Sequence, residues 1–299
     1  MGFLSRLFGG RAGGSTGGSK GPALHGKPAL HGKPERDVVA LTAPLAIPAI
    51  HAVGTSEPTR SQLGGAPLGA PGFIWPDTNG RPLSFLARID LEELQACHAV
   101  DWLPRSGGLQ FFYDVDEQPW GFRPDDVHGW KVTHVVRDDA DLSELPFPNA
   151  LPTTQRLPRR FISFRTIRSF PSYEREAVEQ LKLSDAESDA FNAIADEDFG
   201  GRPRHQLTGY PRPIQGDDME LESQLVSHGV DCGEAGSYST PRAKALQEGA
   251  SEWRLLLQLD SDEAIEVMWG DVGTLYFWVR ESDARAARFD RTWLILQCH

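Results

Sequence analysis

The chain repeats itself, and this repetition constrains its fold more than any other feature. The motif Gln-Leu-x-Gly-x-Pro at residues 62–67 returns at residues 206–211, an offset of 144. The hydrophobic blocks 85–90 and 107–112 return as 255–260 and 273–278, at offsets of 170 and 166. Three blocks in one order, each displaced by roughly half of the chain, predict two copies of one β-rich unit.

Local patterns within the copies indicate strands joined by tight turns. Asn79-Gly80 lies between the apolar stretches 73–75 and 83–86, as expected of a hairpin turn. Residues 109–113 and their counterpart 275–279 carry large or apolar side chains at successive positions. Strands that are apolar on both faces are covered by another layer, so we expect these aromatic side chains to lie in the core.

Helix signals lie after the second repeated block of the first copy and between the copies. Asp90 with Glu93 predicts the start of a short helix, and Ser184 with Glu187 forms the capping box of a longer one. A further helix is expected at 173–182.

The first residues read as a leader. Residues 9–34 are rich in Gly, Ser and Pro, and one hexapeptide within them is copied at once, a composition that cannot bury a core. Residues 38–50 are apolar but interrupted by Pro44 and Pro48, which favours an extended edge segment over a helix.

We therefore predict an α+β fold, predominantly antiparallel β, in one internally duplicated domain behind a disordered N-terminal leader. The leader covers residues 1–37 and the domain residues 38–299. Within the domain, the first copy covers about 58–140, a helical insert about 171–199 and the second copy about 203–299.

Charge divides the chain unevenly. The formal net charge is −12, while residues 1–34 contain five bases and no acid, so residues 35–299 carry −17. This much negative charge on residues 35–299 repels the phosphate backbone of nucleic acids, which argues against nucleic-acid binding. The basic leader could contact an anionic membrane or an acidic partner weakly, or it could simply be a solvated segment.

Compartment follows from cysteine content and hydropathy. The three cysteines are widely spaced, without a Cys-x-x-Cys pair, which indicates a reducing compartment and a cytoplasmic location. No apolar run approaches the length of a transmembrane helix.

Several multi-residue motifs resemble the YwqG-like family of bacterial proteins. They occur in order along the chain at 61–67, 72–76, 83–91, 108–114, 255–262, 268–271 and 298–299. The resemblance implies a duplicated, β-rich α+β fold, and it implies no established catalytic residues. Arg88 and Thr208 depart from the residues that the family pattern leads us to expect.

No motif of the sequence indicates catalysis. Outside the low-complexity residues 9–34 the sequence has no Gly-x-Ser-x-Gly elbow, and it has no His-Glu-x-x-His zinc helix. Cys97-His98 and Cys298-His299 are sequence neighbours, a poor geometry for a catalytic pair, so each Cys is better interpreted as a small buried hydrophobe. We assign no catalytic residue, cofactor or resident metal.

Acidic residues cluster where strands end. Such clusters occur at 114–117 and 260–263, and residues 260–283 hold seven acids against Arg280 alone. Carboxylates in this arrangement can hold a hard cation or attract a cationic partner. They can equally be turn-forming residues, because Asp closes turns through its own backbone.

These features lead to two functional hypotheses. The first is a non-catalytic protein-binding domain, of an adaptor or toxin-immunity kind, that docks a basic protein. The second is a small-ligand or divalent-metal-dependent enzyme with its site between the copies. The predicted contacts are Asp260, Asp262 and Asp271, with Trp269 as an apolar wall and Trp75 lining the same groove.

Overall fold

A ten-stranded sheet organises the molecule, which a computed structural model describes over residues 35–136 and 142–299. The strand order is β14-β13-β12-β11-β1-β10-β2-β6-β7-β8, and all neighbours pair antiparallel. Two short pairs, β3 with β9 and β4 with β5, lie outside this sheet. The strands are β1 (Ile47–Gly54), β2 (Gln62–Leu63), β3 (Leu68–Gly69), β4 (Asp77–Thr78), β5 (Arg81–Pro82), β6 (Ser84–Asp90), β7 (Gly108–Tyr113), β8 (Trp130–Val135), β9 (Ser143–Glu144), β10 (Arg160–Ser169), β11 (Gln206–Leu207), β12 (Trp253–Asp260), β13 (Thr274–Arg280) and β14 (Trp293–Gln297).

Short helices pack around this sheet, and the predicted caps are confirmed. Asp90 accepts a hydrogen bond from the Glu93 N–H (3.0 Å), and Ser184 and Glu187 form the expected capping box. The α-helices are α1 (Val38–Thr42), α2 (Leu91–Cys97), α3 (Glu176–Glu179), α4 (Asp185–Glu197), α5 (Met219–Ser227), α6 (Pro241–Leu246) and α7 (Glu281–Arg285). The predicted mixture of helix and a mainly antiparallel sheet is therefore confirmed.

The strand order contains two four-strand series. β2-β6-β7-β8 occupies one end of the sheet and β11-β12-β13-β14 the other, with β1 and β10 between them. The three repeated sequence blocks fall on β2 and β11, on β6 and β12, and on β7 and β13. Each repeated block thus takes the same place in its own series.

The sheet curls until it is nearly closed into a barrel. At its two ends, the indole N–H of Trp130 donates to the Thr292 carbonyl (2.9 Å), and the rings of Trp130 and Trp293 meet edge to face at 5.0 Å. Inside, the rings of Phe111 and Phe277 are 5.1 Å apart. Aromatic side chains from both series therefore fill the space that the sheet encloses.

Residues 38–50 differ from the prediction of an extended edge segment. Asp37 caps α1 by accepting from the Ala40 N–H (3.1 Å), and Pro44 lies at the start of a 3-10 turn. The strand that follows, β1, is central. It tolerates Pro48 because β11 pairs only with Ile50 and His51, so no ladder reaches Pro48 from that side.

Two helical regions also differ from the prediction. The helix expected over 173–182 is reduced to the single turn of α3, between Arg175 and Gln180. The stretch 202–249, where several Pro and Gly residues are typical of turns, contains α5 and α6, which no sequence signal predicted. The buried positions of α5 include the polar Ser223 and Gln224, which interrupt the apolar pattern by which a helix is recognised in a sequence.

The leader prediction falls mostly on residues that the structure does not describe. Residues 1–34 lie outside the described ranges, and with them the suggested weak membrane contact. Over the described ranges, no helix is both long and apolar enough to cross a membrane.

Candidate functional site

Asp260, at the end of β12, is buried and bound within the protein. Its carboxylate accepts hydrogen bonds from the Thr274 hydroxyl (2.9 Å) and the Arg204 N–H (3.0 Å). The Arg202 guanidinium lies 3.5 Å away. These contacts tie β12 to β13 and to the segment that leads into β11.

Asp262 lies two residues further on and is also buried. It accepts from His205 Nε2 (3.1 Å), the Arg160 guanidinium (3.3 Å) and the Ala264 N–H (2.9 Å). Burial alone would raise the pKa of this carboxyl, but the hydrogen bonds from His205 and Ala264 outweigh it and hold the pKa below its usual value. Because His205 Nδ1 accepts from the Asp260 N–H (3.2 Å), we assign the ring hydrogen to Nε2.

The two predicted tryptophans lie on opposite sides of β7. Trp269 is buried, and its ring meets Tyr113 edge to face at 5.7 Å in the main core. Trp75 packs on the outward-facing Phe112 at 5.7 Å, and its indole N–H donates to the Leu83 carbonyl (2.9 Å). The structure therefore does not bring these side chains together in one groove.

Asp271 is the exposed member of the predicted set. It lies in the turn between β12 and β13, where its carbonyl accepts from the His299 N–H (3.0 Å). Met268 and Val272 in the same turn expose 50% and 40% of their surface. This turn therefore exposes one acidic and two apolar side chains to solvent.

A second loop, after β7, is joined to this turn. Gln118 donates to the Met268 carbonyl (3.3 Å) and accepts from the Gly270 N–H (2.9 Å). Trp120 follows with 42% of its surface exposed, while its carbonyl accepts from the Leu296 N–H of β14 (3.0 Å). We call residues 114–121 and 261–273 together the two-loop surface.

The backbone of the two-loop surface is held in a demanding conformation. Gln118, Glu266 and Val272 have positive φ angles of 45°, 57° and 50°. This region is unfavourable for side chains other than glycine, and most of all for a β-branched residue such as Val272. The hydrogen bonds of Gln118 are among the contacts that hold this conformation.

Acidic side chains dominate the two-loop surface. Its exposed acids are Asp116, Glu117, Glu263, Glu266 and Asp271. Arg81 offsets the first loop, lying 2.8 Å from Asp114 and 3.6 Å from both Asp116 and Glu117. The surface therefore combines exposed apolar side chains with an excess of negative charge.

Sequence reasoning identified the acids of both loops but missed Gln118, Trp120 and Met268. The short distance in sequence between Trp120 and the acids 114–117 was the signal that could have pointed to the first loop. As for metals, no group of three or more His, Cys, Asp or Glu side chains in the described ranges is placed to hold an ion.

The family model for a domain of unknown function, DUF1963, matches residues 61–298. The chain belongs to the DUF1963 family. The matched region begins just before β2 and ends just after β14, so it includes both four-strand series and the two-loop surface. A comparison with curated proteins gives no match.

Proposed function

We propose that this DUF1963 protein is a non-catalytic binding domain, of an adaptor or immunity kind, that docks a basic protein segment on the two-loop surface. The observation that carries the proposal is the combination of exposed Trp120, Met268 and Val272 with surrounding carboxylates. Aromatic residues and Met are enriched in protein interfaces, where the apolar centre is desolvated and a charged rim selects the partner.

The charge of the body supports a cationic partner. Residues 35–299 carry −17, and the exposed acids of the two-loop surface add negative charge at the contact itself. Such a field increases the association rate of a basic protein, and salt weakens the effect. Binding should therefore become weaker as ionic strength rises.

The packing between the two series favours this proposal over an enzyme with a site there. Phe111 meets Phe277 at 5.1 Å, and Tyr113 meets Trp269 at 5.7 Å, so large side chains occupy the space between β7 and the second series. A substrate between the copies would have to displace these buried rings.

The proposal is tested by affinity capture from the native bacterial host followed by mass spectrometry. We expect a basic protein at near-stoichiometric yield with the parent chain and strongly reduced yield with Trp120→Ala or Asp271→Ala. Tyr173→Ala and Asp189→Ala are matched controls, because both residues are exposed but lie in the helical region between the series. Equal recovery with all four variants would place the contact elsewhere, and repeated absence of a basic partner would refute the proposal.

We further infer that the two series arose by duplication of one unit. Gln62 donates to the carbonyls of the residues two and four positions ahead, and Gln206 does the same. A register shift lies at the same place in β6 and β12, between Phe85 and Ala87 and between Leu255 and Leu257. Alignment of the two halves across many family members tests this inference, which fails if the halves are no more similar than unrelated strands.

The motifs of the carboxyl-terminal half also support a YwqG-like position within the family, and the cysteines support a cytoplasmic location. Cys97, Cys232 and Cys298 are free thiols. Cell fractionation of the native host tests the location, and recovery from the periplasm would contradict it.

A further inference from the structure

A recess of about 490 Å³ lies against β8, the last strand of the sheet order. One side is formed by the β4–β5 hairpin region and the other by the turns that precede β8 and β14. The residues that line it include Ile74, Trp75, Asp77, Val127, Lys131 and Asp290, together with β8 residues 130–133. We call this recess the edge groove.

The backbone of β8 borders the edge groove. Four consecutive residues, 130–133, line it, so the strand presents its edge and not only one face. The Asp114 N–H donates to the Gly129 carbonyl, and hydrogen-bonded pairs alternate along an antiparallel ladder. By this alternation Lys131 and Thr133 bond to β7, while the N–H and carbonyl of Val132 turn away from β7.

An edge of this kind can accept another strand. Among the described strands, β7 alone pairs with β8. Proteins usually protect such edges with charge, proline or a covering segment, because unpaired backbone groups attract an extended chain. In β8 the side chain of Lys131 is the single basic feature of the groove-lining stretch 130–133.

Apolar side chains form part of the walls of the edge groove. Ile74 exposes 86% of its surface and Val127 exposes 38%. Trp75 is held in place by its hydrogen bond to the Leu83 carbonyl. Side chains at every second position of an added strand would meet these walls, since alternate residues of a strand point to the same side.

The charged groups of the groove indicate which charge a bound peptide should carry. Asp77, from the hairpin, and Asp290, from the opposite turn, are both exposed, and within the described ranges neither forms an ion pair. Lys131 and the exposed His128 also line the groove, but the body as a whole carries −17. Basic residues that flank the apolar positions of an added strand would complement the two aspartates.

We propose that the edge groove binds an extended peptide, with alternating apolar side chains and basic ends, as an additional antiparallel strand on β8. The main-chain hydrogen bonds supply affinity, and the apolar walls and the two aspartates supply selectivity. This site is separate from the two-loop surface, so either proposal can fail without the other.

The test uses a fluorescein-labelled synthetic peptide of about ten residues, in which valine and threonine alternate between lysines at both ends. Fluorescence anisotropy measures its binding to the full chain. Val132→Pro removes the outward N–H, while Val132→Ala keeps it and causes a comparable loss of core packing. Ile74→Glu places a charge on an exposed wall without disturbing the core.

We expect saturable binding to the parent and to Val132→Ala, and about a tenfold loss for Val132→Pro and for Ile74→Glu. The same peptide N-methylated at alternate amides should not bind, because it cannot form the ladder. Equal binding by Val132→Pro and Val132→Ala, or by the N-methylated peptide, would overturn the proposal. So would the lack of saturable binding up to about 1 mM. If Val132→Pro does not fold, Ile74→Glu and the N-methylated peptide decide the outcome.

Discussion

His51 should make the stability of the fold depend on pH in a predictable way. Its ring is buried in β1, accepts a hydrogen bond from the Arg165 guanidinium at Nδ1 (3.0 Å) and meets Phe199 edge to face at 5.1 Å. Burial, the charge of Arg165 and the neighbouring His205 together lower the pKa of His51 to about 4, from an ordinary value of 6.5. The folded state therefore disfavours the protonated ring.

The sign of the effect follows from this direction. Above about pH 7 the ring is neutral in both folded and unfolded chains, so its contribution is complete. As pH falls from 6.5 towards 4, the unfolded chain binds a proton that the folded chain does not, and stability is lost. A difference of about 2.5 pKa units corresponds to about 3 kcal/mol of unfolding free energy at pH 4.

Urea titrations of the parent and of His51→Gln measure this contribution, with the eight tryptophans as the fluorescent probe. Glutamine can still accept from Arg165 but does not titrate. Between about pH 7.5 and pH 4 the parent should lose about 3 kcal/mol more than His51→Gln, since all carboxylates are common to both. Equal losses in the two proteins would refute the reasoning.

Four further substitutions test the packing and the buried charges. Glu222→Gln should raise the unfolding free energy by about 3 kcal/mol at about pH 8 and leave it unchanged near pH 4. Burial raises the pKa of Glu222 to about 7, so its ionisation weakens the fold as pH rises; melting curves at both pH values check this. Asp262→Ala should destabilise by about 3 kcal/mol because it leaves Arg160 and His205 unpaired, whereas Asp271→Ala should melt like the parent. Phe277→Ala should lower the unfolding free energy, measured by urea titration, by about 3–5 kcal/mol because it opens a cavity beneath Phe111. An unchanged unfolding free energy would contradict the aromatic core.

Gly121 allows a separate local test beside Trp120. Its φ is +85°, and an added Cβ would meet the backbone of Leu294 in β14. Gly121→Ala should therefore lift the Trp120 loop from β14, which hydrogen exchange of the Leu296 N–H would report as lost protection. Unchanged protection would show that the loop adjusts without leaving the strand.

Local signals of the sequence predicted much of the fold. Runs of large or apolar residues predicted β7 and β13 within a residue of their ends, and the Asp90 and Ser184 caps predicted the starts of α2 and α4. These features depend on interactions between near neighbours. The central place of β1 depends instead on pairing with β10 and β11, more than a hundred residues away, which a local pattern does not encode.

The candidate site shows the same division. The acids at the ends of β7 and β12 were visible in the sequence, but their burial was not, because Asp260 and Asp262 are enclosed by residues from distant segments. Nothing in the sequence distinguishes the environment of Trp269 from that of Trp75. The fold shows that the two side chains lie on opposite sides of β7. The role of Gln118 in joining the two loops is recognised only because the structure places those loops next to each other.

The position of β1 has a consequence for synthesis on the ribosome. In the finished sheet its neighbours are β10 and β11, and Ile50 pairs with Leu207. Translation at about 5–20 residues per second places the two residues about 8–30 s apart. Until β10 is complete at residue 169, the nascent chain holds β1 with neither of its partners, although the strands β2, β6, β7 and β8 have already been made. Slow decoding or early chaperone contact over the first half of the message would therefore affect the yield of folded protein more than the same change near its end.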